Sequence, residues 1–135
     1  MSTFDALGIA GSGLITHRKW LDAVSDNIAN INDAVSPSET PFRERMVVAQ
    51  AVDYGSGEGG VRVAQATFGG DPAGRLVYEP GNALADASGY VRYPDIDLGD
   101  QMAQMMMAQR GYQANLSAMS RATEAYQAAL QLGRH

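Results

Sequence analysis

Apolar and small side chains recur at alternating steps of three and four residues along both ends of the chain. From the N-terminus the series runs Leu7, Ala10, Leu14, His17, Leu21, Val24, Ile28, Ile31, broken only by His17. Towards the C-terminus it runs Met102, Met105, Gln109, Tyr112, Leu116, Met119, Thr123, Tyr126, Leu130. A three–four alternation returns to one helical face, and over successive heptads it marks a packing seam. The pattern predicts long helices over about residues 4–31 and 98–132. At ~1.5 Å per residue they are roughly 42 and 52 Å long, too long for the two ends of one compact small domain.

Residues 34–97 have another character. Nine of the fifteen acids lie here, with many glycines and four of the five prolines ahead of the last, Pro94. The run YGSGEGG (54–60) reads as a flexible loop. GVRVAQATF (60–68), RLVYEP (75–80) and GYVRYP (89–94) are short β-type runs, and EPGN and ASG read as turns. A small antiparallel hairpin or three-stranded patch follows, too small for an independent core. The expected fold is therefore mainly α: an N-terminal helix (1–33), a loop-rich middle with short strands (34–97) and a C-terminal helix (98–135). The two long helices are expected to pack as an antiparallel coiled-coil-like pair.

A length of 135 residues allows one domain, and the net charge of −5 supplies no basic surplus for nucleic acid. Nine of the ten basic residues are Arg, suited to specific hydrogen-bonded contacts. With no Cys, thiol catalysis, disulfides and zinc–thiolate sites are excluded. The opening MSTFDALGIAGSGL carries Asp5 and no basic residue before Arg18, the reverse of a secretory signal. No apolar run is long enough to span a membrane, because Gln104 and Gln109 interrupt the methionine-rich stretch 102–108.

The candidate chemistry is thin. Gly8, Gly11, Ser12 and Gly13 have the composition of a phosphate loop, but the order is GxxGxG, without the Lys of a P-loop or a preceding strand. His17 has no second His near it and reads as a seam residue facing a neighbouring chain. Asp95, Asp97 and Asp100 lack the spacing of a calcium loop. Asp97 reads instead as the cap of the C-terminal helix with Asp100 in its first turn, and Ser2 with Asp5 as a similar start to the first helix. Asn115-Leu-Ser117 matches a glycosylation acceptor at mid-helix, where it is a chance match. No catalytic constellation, cofactor site or metal site is legible.

Two features favour assembly. Gly8, Gly11 and Gly13 each weaken an isolated helix by about 1 kcal/mol relative to Ala, so the first helix needs a partner to form. Met102, Met105, Met106, Met107 and Met119 belong to a helix that is apolar on several sides, and methionine adapts to non-identical surfaces.

Particular stretches then narrow the reading. LGIAGSGLITHRKWLDAVSDNIANIN resembles the N-terminal signature of the axial proteins of the bacterial flagellum, the rod and hook proteins. PFRERMVV (41–48), LVYEPGNALADASGYVRYPDID (76–97) and MAQMMMAQRGYQANLSAM (102–119) are similar to the proximal rod proteins among them. The family follows NIAN with Ala-Asn-Thr, where this chain has Ile31-Asn32-Asp33.

The resemblance implies a structural subunit of the periplasmic rod of the basal body, polymerising helically into the shaft that carries motor torque to the hook. Export through the flagellar type III apparatus, without a cleaved signal peptide, is implied with it. So are contacts with copies of itself and with proximal rod, rod–ring junction and distal rod proteins. No small-molecule substrate, nucleic acid or cofactor is expected. Leu14, Leu21 and Ile28 are expected to meet Met105, Tyr112, Leu116 and Met119 within one subunit. Asn27, Asn30, Arg110 and Asn115 are expected to hydrogen-bond within or between subunits, and Leu7, Val24, Met102, Met106 and Tyr126 complete the packing set. A soluble helical adaptor or chaperone for secretion is the alternative from another class; another proximal rod protein is the alternative within the family.

Overall fold

In the computed structural model, residues 3–55 and 58–134 are described. Ser2 and its expected capping role lie outside these residues, as do His135 and the Ser56–Gly57 part of the expected loop. Helix α1 spans Thr3–Asn30 and helix α2 spans Leu98–Leu132, within about a residue of the bounds expected from the seams. Asp97 caps α2, its Oδ1 accepting the Asp100 N–H at 2.7 Å, with Asp100 in the first turn. Asp97→Ala is expected to lower stability by about 1 kcal/mol, read by urea unfolding.

Between the helices lie β1 (Glu44–Gly55), β2 (Glu58–Gly69), β3 (Arg75–Tyr78) and β4 (Tyr90–Tyr93). They form two separate two-stranded sheets, β1 with β2 and β3 with β4. The β3–β4 pair is the expected antiparallel hairpin of RLVYEP with GYVRYP, whereas β2 stands in the other sheet, so the alternative three-stranded patch does not form. The loop expected at 54–60 is corrected too, since its described residues end β1 and begin β2. Strand β1, ERMVVAQAVDYG, has no counterpart in the sequence reading. It is exposed at most positions, so it lacks the in–out alternation that marks a half-buried strand.

The chain divides into two compact units. The first comprises Met1–Leu21, Val47–Gln65 and Met106–His135. Its buried residues include Ala10, Gly13, Thr16 and Ala108. The second comprises Asp22–Met46 and Ala66–Met105. Its core holds Val24, Asn27, Val91, Pro94, Ile96 and Gln101.

In the second unit β3 and β4 run antiparallel, with Val77 opposite Val91 and Tyr78 opposite Tyr90. Val35 bridges the free edge of β4, exchanging both backbone hydrogen bonds with Arg92. The link from β3 to β4 turns on Asp86, whose Oδ1 accepts the N–H groups of Ser88 and Tyr90. Gly89 adopts φ +85° there, which a side chain resists. Tyr93 donates its hydroxyl to Glu79. That hydrogen bond, with burial and the nearby carboxylate charge, raises the phenol above its usual range against a lowering by Arg75.

Candidate assembly site

In the first unit the helices meet through small residues. Phe4 lies edge-on to Tyr126 with centroids 5.0 Å apart. Further along, His17 of α1 lies over Gly111 of α2, and Asn115 of α2 lies over Gly13 of α1. A Cβ on either glycine would collide with the side chain above it. Each polar group also bonds back to its own helix. His17 Nδ1 donates to the Gly13 carbonyl at 2.7 Å, and Asn115 Nδ2 donates to the Gly111 carbonyl at 2.8 Å. A carbonyl only accepts, so His17 Nδ1 carries the hydrogen. The 3.3 Å approach of Asn115 Nδ2 to that nitrogen is therefore a contact between donors. The crossing is reciprocal: glycine and polar residue four apart on one helix, matched by glycine and polar residue four apart on the other.

In the second unit the contact between the helices is an amide network. Asn27 is 1% exposed and Gln101 0%, and both are satisfied, as buried amides must be. Asn27 Nδ2 donates to Gln101 Oε1 and to the Arg45 carbonyl, each at 2.9 Å. Asn27 Oδ1 accepts the Arg45 N–H at 2.7 Å, and Gln101 Nε2 donates to Glu44 Oε1 at 2.6 Å. The Asn27 amide thus stands in for a neighbouring strand at Arg45. Outside it, the Arg45 guanidinium pairs with Asp26 at 2.5 Å and lies 5.2 Å from the Phe42 ring.

These contacts shift part of the expected α1 seam by one position, Gly13 and Asn27 being buried where Leu14 and Ile28 were expected, whereas Ala10, His17 and Val24 of that series do turn inward. On α1 Gly13 and Asn27 are buried, while Leu14, Trp20, Leu21 and Ile28 are half-buried. On α2 the heptad of inner positions is Gln101, Ala108, Asn115, Ala122. Met105, Tyr112, Met119 and Tyr126 flank that stripe, and Met102, Met106, Met107 and Leu116 are half or more exposed. Leu116 is therefore not covered from within the subunit, and His17 packs on the chain's own α2 rather than facing away. The reason is steric: glycine and alanine let two backbones come close, whereas leucine and methionine hold them apart.

Of the remaining expected residues, Val24 is buried, Leu7 is half-buried and Arg110 is exposed. Asn30 Nδ2 donates to the Asp26 carbonyl within its own helix. Residues absent from the expected packing set are Phe4, Ser12, Thr16, Gln101, Ala108 and Gly111. For Thr16, Gln101, Ala108 and Gly111 the signal was a run of small and polar side chains one residue before the apolar series; Phe4 and Ser12 lie outside both series. Among the described residues no group of three or more His, Cys, Asp or Glu is placed to hold a metal ion, and no helix is long and apolar enough to cross a membrane.

Comparison with known proteins matches this architecture at both ends. Residues 7–35 match the family described as flagella basal body rod protein, and residues 87–132 the family described as flagellar basal body rod FlgEFG protein C-terminal. The flagellar basal-body rod protein FlgC of Salmonella typhimurium is 41% identical over 122 residues, covering 89% of this chain and 90% of that protein. This chain belongs to the FlgC family. Its relatives of the same name in Yersinia enterocolitica and Aquifex aeolicus are 43% and 35% identical, over 89% and 94% of the chain and 90% and 94% of those proteins. At 89–94% coverage the FlgC match takes in the sequence of the β-containing middle as well as the helices.

Proposed function

We propose that the chain is a structural, non-catalytic subunit of the proximal rod, polymerising helically in the flagellar basal body and passing torque through non-covalent contacts. In this reading α1 and α2 form an antiparallel coiled-coil-like pair, supported by partners that advance along α1 (Phe4, Gly13, His17) while receding along α2 (Tyr126, Asn115, Gly111). Its neighbours are copies of itself and the other proximal rod, rod–ring junction and distal rod proteins, reached by export through the flagellar type III apparatus without a cleaved signal peptide.

The observation that carries the proposal is the inversion of the α2 faces. Small and amide residues turn inward, and Met102, Met106, Met107 and Leu116 stay half or more exposed. Met102, Met106 and Leu116 form an apolar ridge on one side of α2, and Met107 points to another side. Such exposed apolar surface on a helix that already has its intramolecular partner is a surface for other helices. Methionines on that ridge accommodate neighbours that are not identical. The remaining packing residues, Leu7, Leu14, Leu21, Ile28, Met105, Tyr112, Met119 and Tyr126, line the flanks where adjacent subunits would interlock, with Arg110 at the exposed rim.

Leu116→Asp tests it. Because Leu116 is half exposed, the isolated subunit should keep its stability within about 0.5 kcal/mol. Rod formation and swimming should be lost while export persists. Normal swimming with the variant protein in the rod overturns the assignment of this ridge.

A further inference from the structure

Val61 of β2 is held by two side chains of α1. Ser12 Oγ accepts the Val61 N–H at 3.0 Å while donating to the Ile9 carbonyl at 2.7 Å. Thr16 Oγ1 donates to the Val61 carbonyl at 3.5 Å, the long limit of a hydrogen bond. The N–H and C=O of an antiparallel strand residue point to the same side, so Val61 turns both away from its strand neighbour and towards the helix.

The packing around this clamp is incomplete. A groove of about 310 Å³ lies on one side, lined by Phe4, Gly8, Val52, Tyr54 and Gly60 among others. Another of about 480 Å³ lies beside it, lined by Ile9, His17, Val52, Asp53 and Asn115 among others. Gly8 and Gly11 have open space where a Cβ would stand, and Gly59 and Gly60 offer no side chain from the strand. A ribbon of two strands is marginal in water without a third element to cover it. The strand segments of this unit are exposed at most positions. The attachment at Arg45 differs: there a buried, fully satisfied amide closes on the strand with bonds of 2.7 and 2.9 Å.

We infer that residues 47–55 and 58–65 of the β1–β2 ribbon form a releasable strap, latched on α1 by Ser12 and Thr16 and anchored firmly at Arg45. Opening breaks the two hydrogen bonds at Val61, one of them long, beside grooves that already leave the strap loosely packed. It also uncovers the Ser12–Thr16 face of α1. On the rod-subunit reading, the closed strap is a brake: it covers that face in the free subunit and lifts before a neighbour packs there.

Amide hydrogen exchange on the full chain tests the latch without reference to assembly. After correction for intrinsic rates, the Val61 N–H should exchange at least tenfold faster than the Arg45 N–H, since local opening sets the rate. Ser12→Ala should remove the remaining protection at Val61 and leave Arg45 unchanged. Equal protection at the two sites overturns the strap.

The brake is tested by closing the strap covalently, which the cysteine-free background permits. A Cβ on Gly60 would stand 3.3 Å from the Ser12 Cβ, a few tenths of an ångström inside the ~3.5–4.5 Å of a disulfide. Purified S12C/G60C chain should self-associate when reduced and stay monomeric when oxidised, measured by sedimentation. Equal association of the two forms overturns the brake. A wild-type chain that never associates counts against the rod-subunit reading, and the exchange result then decides the strap alone.

Discussion

Asn27→Leu is expected to lower the stability of the subunit by about 3 kcal/mol, measured by urea or thermal unfolding of the purified chain. The two side chains are similar in size, so the loss is one of polar satisfaction rather than volume. Three hydrogen bonds disappear, and the Arg45 N–H, the Arg45 carbonyl and Gln101 Oε1 lose their partner. A buried polar group without a partner costs roughly 1–3 kcal/mol, and groups in one network do not add fully. The same substitution should detach the start of β1 from α1, so exchange at the Arg45 N–H rises sharply. An unchanged unfolding midpoint would remove Asn27 from the network's centre.

The glycines divide into two classes with opposite expected signs. Gly111→Ala places a methyl group against the His17 ring. Overpacking of this kind costs about 1–3 kcal/mol, set against the gain of about 1 kcal/mol from alanine in a helix. A net loss of up to roughly 2 kcal/mol follows. His17→Ala in the same chain removes the obstacle, so the double variant should recover the loss and show a favourable coupling in a double-mutant cycle. Gly8→Ala and Gly11→Ala meet nothing within 4 Å. In the isolated subunit each should stabilise α1 by up to about 1 kcal/mol. Additive effects of Gly111→Ala and His17→Ala would show that the crossing does not set the approach of the helices in the first unit.

Both predictions turn on residues that the apolar pattern passed over. The three–four alternation located α1 and α2 to within about a residue, because helical period and length are local properties that the chain carries without tertiary help. Asp97 as a cap was legible for the same reason: an aspartate just before an apolar-periodic run satisfies a donor of the first turn. Strand β1 was not legible, because a ribbon exposed on both faces has no alternation to show.

The sequence by itself determined the two helices, the β3 and β4 hairpin around its EPGN and ASG turns, the absence of thiol chemistry and the family. Which face of each helix turns inward was decided only by the tertiary structure. Positions one residue apart compete on α1, Leu14 and Ile28 against Gly13 and Asn27. Periodicity is identical for both, and hydrophobicity favours the first. What selects the second is a match to positions far away in the chain: Gly13 beneath Asn115, Gly111 beneath His17, and Asn27 satisfied by Gln101 and Arg45 together. Close backbone approach and mutual amide satisfaction are properties of pairs of elements, so no window of sequence along one helix contains them.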